Sequence, residues 1–211
     1  MNKKEFYRFI EQGALQGSCR YFEYWFVYQN VPKGSKVLEI GGGFSALGQA
    51  LKEKGCEVHG LEVDQKALEY QVKHGIPTAY NVENSDYKGY FDVVVAASSI
   101  EHFSPEHDGD IQQIQDVLKA LKPNGLFVVT IPTGKTYIKS RGIPPEKVYT
   151  DKEFTRRFLQ DFALEKMVLY RGTNVPPTDF TPKRTWKGNI NFEIVNDIQE
   201  GTGLCAVLKK I

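Results

Sequence analysis

Short apolar segments alternate with longer amphipathic segments along most of the chain. Residues 36–40 form a compact apolar run that ends in glycines, whereas in 45–54 apolar residues such as Leu47 and Leu51 recur at helical spacing. Residues 91–97 are apolar almost throughout, which is typical of a strand covered by helices on both faces. This alternation predicts strand–helix–strand units and a mostly parallel sheet.

Local signals predict where the other elements begin and end. Asp64 is expected to cap a helix that stops at Gly75, and Thr150 and Glu153 form a capping box for a later helix. The last segment, 203–209, alternates weakly and is expected to be an edge strand. The remaining predicted strands are 57–63, 76–82, 126–131 and 162–170, and a further helix is predicted beyond residue 105.

Three regions fall outside the regular alternation. Residues 6–28 include the aromatic run 21–28 and are predicted to be helical and to pack across one end of the sheet. Residues 132–149 are rich in Gly, Pro, Lys and Tyr and have the length of a lid or binding loop. Residues 173–189 are expected to be irregular.

Length and charge narrow the class of protein. A chain of 211 residues is long enough to bury a core without disulfides or metals. We expect one domain, with a helical cover at 1–33, a core at 34–131, and a substrate loop, last helix and last strands at 132–211. The 27 Lys and Arg balance 26 Asp and Glu, so no overall charge favours nucleic acid or an anionic membrane.

Cysteine usage and the absence of apolar targeting segments predict a cytoplasmic protein. Cys19, Cys56 and Cys205 match neither a disulfide framework nor a zinc-ligand spacing. The basic N-terminus has no apolar run behind it and does not resemble a signal peptide. No uncharged stretch is long enough to span a bilayer.

Three consecutive glycines, Gly41, Gly42 and Gly43, follow the first predicted strand. A turn from a parallel strand into a helix needs glycine where the backbone reverses and where a ligand approaches the main chain. The three glycines also fit the looser form of a dinucleotide site. Glu39 argues against that form, because a carboxylate there suits a cationic amino group and would be poorly placed against a pyrophosphate.

A second carboxylate supports a nucleoside ligand. Glu62 lies about twenty residues after the glycines, at the end of the next predicted strand, where a carboxylate accepts both ribose hydroxyls. Asp64 is the alternative for this role, although its position favours a helix cap. The position does not distinguish one nucleoside cofactor from another.

These residues together resemble one enzyme family. Glu39 and the glycines form the pattern E-x-G-x-G, which resembles the first motif of the class I S-adenosylmethionine-dependent methyltransferases. Segments 90–95 and 121–129 resemble that family's fourth and fifth strand signatures, and 98–103 resembles its segment beside the methionine end of the cofactor. The resemblance covers roughly 37–131.

The resemblance implies a Rossmann-like, doubly wound α/β fold, with a mostly parallel seven-stranded sheet, helices on both faces and an antiparallel last strand. It implies S-adenosylmethionine as the cofactor and S-adenosylhomocysteine as its product. The implied cofactor contacts are Glu39, Gly41, Gly42, Gly43, Glu62, Val63, Asn81, Val82 and Ser98. Two positions depart from the family pattern: Ser45 stands at a common third glycine, and Asn81 stands near a common aspartate that binds the adenine amino group.

His102 is the candidate general base for a hydroxyl acceptor, because it follows the fourth strand at the carboxyl edge where ligands bind. A packing or capping role is the alternative. Glu101, His107 and Asp108 are close in sequence, but their spacing matches no divalent-metal motif. The sequence therefore predicts no metal site.

The main hypothesis is an enzyme that methylates a small molecule, at oxygen, by in-line methyl transfer. Alternatives are a non-catalytic cofactor-binding or scaffold protein of the same fold, and a methyltransferase with a protein acceptor. A NAD(P)-dependent oxidoreductase is disfavoured by the lack of a Tyr-x-x-x-Lys pair after the fourth strand. The balanced charge argues against nucleic acid as partner, and nothing suggests a membrane partner. The acceptor, the methylated atom and the oligomeric state stay open.

Overall fold

The computed structural model of this protein describes residues 1–13, 19–80, 87–104, 107–142, 145–172, 192–198 and 202–211. The helices are α1 (Lys3–Ile10), α2 (Cys19–Asn30), α3 (Leu47–Glu53), α4 (Gln65–Lys73), α5 (Gly109–Ala120) and α6 (Asp151–Phe158). The strands are β1 (Lys36–Ile40), β2 (Glu57–Leu61), β3 (Thr78–Ala79), β4 (Phe91–Ala97), β5 (Leu121–Thr133), β6 (Ile138–Arg141), β7 (Glu146–Val148), β8 (Phe162–Gly172), β9 (Phe192–Val195) and β10 (Thr202–Lys210).

The main sheet has the order β3-β2-β1-β4-β5-β10-β8-β9. Strands β1 to β5 pair in parallel, whereas β10 is antiparallel to both β5 and β8. This confirms the predicted Rossmann-like α/β fold, and β9 adds an eighth strand at one edge. The strand order changes direction between β1 and β4, and ligands of such sheets bind at the carboxyl ends of the strands beside that point.

The last strand is not an edge strand, and that prediction was wrong. Strand β10 lies between β5 and β8, with Cys205 paired to Thr130 on one side and Val168 on the other. Residues 202–208 are buried throughout, so small and apolar side chains point to both faces. Strong alternation is expected only of a half-exposed strand, which explains the weak signal.

Helices cover both faces of the sheet. Helices α5 and α6 pack on one face through side chains such as Ile114 and Phe158, and α1 to α3 cover the other. The N-terminal cover does not lie across the end of the sheet as predicted. Phe26 and Val27 of α2 instead pack with Val95 and other residues of the sheet face, because the aromatic run supplies a broad apolar surface for packing there.

The sequence predicted a loop over 132–149, but this segment contains the antiparallel strand pair β6–β7. These strands have few apolar residues that could have predicted them. Ile138 pairs with Val148, and the adjacent Tyr149 is fully buried. Asp64 caps its helix as predicted, since it accepts a hydrogen bond from the Ala67 N–H at 2.8 Å. Thr150 accepts the Glu153 N–H at 3.2 Å, but the Glu153 side chain binds Arg157, so only this half of the predicted capping box is seen. Segment 173–189 lies outside the described residues.

None of the helices within the described ranges has the length and apolar character needed to cross a membrane.

Candidate functional site

The glycine turn after β1 is tightly packed on one side and open on the other. Gly41 has φ +66°, and a Cβ atom there would lie 2.6 Å from the Cβ of Ser99. A Cβ on Gly42 would lie 2.9 Å from the carboxyl carbon of Glu39. Gly43 has φ +55° and nothing within 4 Å of the position that a Cβ would take. The open side of the turn therefore leaves the backbone of Gly43 accessible to a ligand.

Glu62 joins the glycine turn to the end of β2. Its carboxylate accepts hydrogen bonds from the backbone N–H groups of Gly43, Val63 and Asp64, at 2.8, 2.8 and 2.9 Å. A carboxylate has about four acceptor positions, so one remains for a ligand hydroxyl. Val63 is 60% exposed beside it and offers apolar surface. Asp64 caps α4, which leaves Glu62 as the candidate ribose ligand of the two.

Glu39 lies beneath the turn and is only 3% exposed. Its Oε1 accepts a long hydrogen bond from Ser45 Oγ at 3.5 Å, and its Oε2 has no hydrogen-bond partner among the described residues. Burial raises the pKa of Glu39 to about 7, and the nearby Glu62 acts in the same direction. A buried carboxyl with an unsatisfied oxygen is costly, which is typical of a residue kept for binding rather than for stability.

Ser98 connects the end of β4 to helix α2. Its backbone is left-handed, with φ +47°, and its hydroxyl donates a 2.9 Å hydrogen bond to Glu23. The buried Glu23 also forms a 2.7 Å ion pair with Arg20 and accepts a hydrogen bond from the Tyr170 hydroxyl. Sequence reasoning missed Glu23, although a single carboxylate inside the aromatic run 21–28 was an available signal.

His102 is half-buried in one turn of 3-10 helix, Ile100–His102, that follows β4. Its Nδ1 forms a 2.8 Å hydrogen bond with the carbonyl oxygen of Pro145, next to β7. Because a carbonyl oxygen can only accept, Nδ1 carries the proton and Nε2 keeps a free lone pair. The strand pair β6–β7 therefore sets the tautomer of this histidine.

Two carboxylates lie beside His102. One ligand atom from each of Glu101, His102 and Glu146 lies within 4.8 Å of the other two. Burial raises the pKa of Glu101 to about 8, whereas Glu146 is partly exposed and accepts a 3.1 Å hydrogen bond from Arg141 Nε. The sequence placed Glu101 with His107 and Asp108 instead, but Asp108 forms its ion pair with Arg157, at 2.8 Å.

A buried ion-pair network holds β7 against the site. Lys147 Nζ lies 3.2 Å from Asp110 Oδ1, and Arg157 Nη1 lies 3.0 Å from the same oxygen. Tyr149 donates a 3.0 Å hydrogen bond to the other oxygen of Asp110, and Lys147 also donates to the carbonyl oxygen of Phe103 at 3.2 Å. These contacts fix the strand pair β6–β7 to α5, to α6 and to the segment that carries His102.

The predicted site residues thus fall into two groups. Most of them lie along the carboxyl edge of β1, β2 and β4, namely Glu39, Gly41, Gly42, Gly43, Glu62, Val63, Ser98 and His102. Asn81 and Val82 lie outside the described residues, so their predicted cofactor contacts stay predictions. The structure adds Glu23 and Glu146, which lie far from the other site residues in the sequence.

The core of the chain is similar to a known family. A family model described as a methyltransferase domain matches residues 38–127. A ubiquinone biosynthesis O-methyltransferase of Shewanella sp. is 30% identical over 108 residues, which are 46% of this chain and 44% of that protein. The protein of the same name from Proteus mirabilis is 32% identical over 112 residues, or 48% and 44% of the two chains. The matches thus span less than half the length of these relatives.

Solved structures share the fold over nearly the whole chain. A 1,6-didemethyltoxoflavin-N1-methyltransferase of Burkholderia thailandensis, with 1,6-didemethyltoxoflavin and S-adenosylhomocysteine bound, has a TM-score of 0.65 and 14% identity. The comparison covers 99% of this chain and 86% of that one. A TehB-like methyltransferase of Corynebacterium glutamicum has a TM-score of 0.61 and 18% identity, with 90% and 87% covered. At these identities the likeness concerns the fold.

Proposed function

We propose that this chain, which belongs to the class I S-adenosylmethionine-dependent methyltransferase family, transfers a methyl group to an oxygen atom of a small-molecule acceptor. The observation that carries the proposal is that Gly43, Glu62 and His102 lie at one edge of the sheet, at the ends of neighbouring strands. There Gly43 and Glu62 would bind the nucleoside and His102 would accept the proton. The names of the relatives from Shewanella and Proteus support transfer to oxygen.

The residues at this edge fit S-adenosylmethionine. Gly43 leaves open the space that a Cβ would fill, Glu62 keeps one acceptor position for a ribose hydroxyl, and Val63 offers apolar surface. The buried Glu39 would supply negative charge beneath the turn when a cationic ligand binds, because a nearby positive charge favours the ionised form of the carboxyl group. Bound S-adenosylmethionine supplies a methyl group that the positive charge of its sulfur already activates, and its product is S-adenosylhomocysteine.

The chain's own contribution is to orient the acceptor and to take its proton. Because the Pro145 carbonyl holds the proton of His102 on Nδ1, Nε2 is free to accept the proton of an acceptor hydroxyl. The Asp110 network keeps β7, and with it Pro145, in place. Such positioning supplies a large part of the rate enhancement in displacement reactions.

Cofactor binding is tested by calorimetric titration of the full chain with S-adenosylmethionine and, separately, with NADH. We expect S-adenosylmethionine to bind, and Glu62→Ala to weaken the affinity about 10- to 100-fold, because a hydrogen bond to a charged group is lost. The matched control is Glu69→Ala, an exposed carboxylate on α4, which should leave the affinity unchanged. Binding of NADH alone would contradict the proposal.

Methyl transfer is tested by mass spectrometry after incubation with panels of phenols, carboxylic acids and amines. A methylated hydroxyl compound is the expected product, and His102→Ala should lower kcat about 100- to 10,000-fold. The control is His74→Ala. The His74 ring also forms a hydrogen bond with a backbone carbonyl, that of Tyr70, but it lies at the end of α4. Methylated amines alone would refute transfer to oxygen, and cofactor binding without any product would favour the scaffold alternative.

A cytoplasmic location is part of the proposal. Cys19, Cys56 and Cys205 are free thiols, as expected in a reducing compartment. Fractionation of the native cells with antibody detection tests it, and recovery from an oxidising compartment would contradict it.

A further inference from the structure

We propose that Glu101, His102 and Glu146 form a binding site for one divalent cation of the first transition row, with Mn²⁺ or Zn²⁺ as its occupant. One ligand atom from each residue lies within 4.8 Å of the other two. Two ligands at about 2.1 Å from one ion are separated by about 3 to 4 Å. A small rotation of the partly exposed Glu146 and His102 side chains would bring the three ligand atoms to that separation.

Glu101 provides an independent sign that the cluster is built for a cation. The residue is 1% exposed, and its Oε2 has no hydrogen-bond partner within the described ranges. A buried carboxyl oxygen without a hydrogen-bond partner is costly, and a bound cation would satisfy it. The neighbouring cation Arg20 is committed to Glu23 at 2.7 Å, so Glu101 has no ion pair of its own among the described residues.

The orientation of His102 matches that of a metal ligand. Histidines that bind metals nearly always donate their other ring N–H to a carbonyl or carboxylate, which fixes the ring and the tautomer. The 2.8 Å hydrogen bond between Nδ1 and the Pro145 carbonyl is such a contact. It leaves the Nε2 lone pair for the cation, on the same side chain that the sequence identified.

The ligand set determines the class of cation. Two carboxylates and one imidazole differ from the all-oxygen sets of Mg²⁺ and Ca²⁺, and they suit Mn²⁺ or Zn²⁺. Three protein ligands also leave a position open for water or for an acceptor hydroxyl. The sequence predicted no metal site from the spacing of residues close to Glu101. Glu146 on β7 is distant in the sequence and was not among them.

Cation binding goes beyond the proposed methyl transfer, and only its consequence for the acceptor rests on that function. A cation at this edge would lower the pKa of a hydroxyl group bound to it. The lone pair of His102 would then be a ligand, and the cation rather than the imidazole would activate the acceptor.

The test is a titration of the chelator-treated full chain with Mn²⁺, followed by the electron paramagnetic resonance signal of the free ion, with Zn²⁺ as competitor. We expect one Mn²⁺ site, from which Zn²⁺ displaces Mn²⁺. Mn²⁺ should bind at least about tenfold more weakly to Glu146→Gln. The matched control Glu165→Gln removes an exposed carboxylate on β8 and should bind as the wild type does. Arg141→Gln should bind more tightly, because it removes the cation that competes for Glu146.

Circular dichroism and thermal unfolding of each variant show whether it folds. Equal binding by the wild type and Glu146→Gln, or no binding by the folded wild type, would overturn the cation site, and so would several weak sites that no variant affects. The assay contains neither cofactor nor acceptor, so a failure of the proposed methyl transfer would leave its result unchanged.

Discussion

The backbone N–H of Gly43 donates a 2.8 Å hydrogen bond to the Glu62 carboxylate, and this bond joins the turn after β1 to the end of β2. Both residues are proposed cofactor contacts, and their geometry depends on Gly43 having a positive φ of +55°.

Gly43→Ala should weaken binding of S-adenosylmethionine while costing little stability. A non-glycine residue at positive φ costs about 1 kcal/mol, and the added methyl group fills the open side of the turn. Gly34→Ala is the matched control, since Gly34 has φ +81° and equally open surroundings but lies before β1, away from the carboxyl edge. Both variants should lose similar unfolding free energy, and calorimetry should show weaker cofactor binding in Gly43→Ala alone. Equal cofactor affinity in the two variants would show that the turn does not face the cofactor.

Glu39→Gln should change how the stability of the cofactor-free protein depends on pH. Burial raises the pKa of Glu39 from its ordinary 4.5 to about 7, so the folded state holds the proton more tightly than the unfolded state. The free energy of unfolding of the wild type therefore falls as pH rises between 4.5 and 7, by up to about 3 kcal/mol.

The Glu39→Gln variant lacks that titration. The unfolding free energy of the variant minus that of the wild type should therefore be larger at pH 8 than at pH 4.5. Urea denaturation at the two pH values measures this difference, with the exposed Glu69→Gln as control. A parallel pH dependence in the wild type and Glu39→Gln would mean that the carboxyl is not buried as described.

Lys147→Met should destabilise the protein by about 3 to 5 kcal/mol, because it breaks a fully buried ion pair with Asp110. Lys119→Met removes an exposed pair with Asp116 of similar length, 2.9 Å, and should cost about 1 kcal/mol or less. Denaturant unfolding compares the two variants. A loss in Lys147→Met no greater than that in Lys119→Met would show that the strand pair β6–β7 is not held through this contact.

Tyr170→Phe should cost about 1.5 to 3 kcal/mol, since the Tyr170 hydroxyl donates a hydrogen bond to the buried Glu23 carboxylate that also binds Ser98. Tyr90→Phe is the matched control. Its hydroxyl donates at 2.6 Å to Glu57, whose side chain is 47% exposed, and the loss of this bond should be nearly neutral. Thermal unfolding of the two variants checks the difference, and equal midpoints would refute a buried link between α2 and β8.

Much of the fold and part of the site were predictable from patterns along the chain. The strand Phe91–Ala97 has the predicted bounds, because a central parallel strand must be apolar on both faces. The glycine turn, the Asp64 cap and the position of Glu62 were predictable for a similar reason. Each depends on backbone geometry or hydrogen bonds within one or two neighbouring elements, so the residue type at each position carries the signal.

Other features depend on contacts between residues far apart in the sequence. Strand β10 takes its place between β5 and β8 because its side chains are buried on both faces, and no local pattern specifies its neighbours. Glu146 reaches Glu101 and His102 because the buried Lys147–Asp110 pair holds β7 against α5. Such contacts form only when the folded sheet brings distant segments together and excludes water from their charges, and neither spacing nor periodicity records that event.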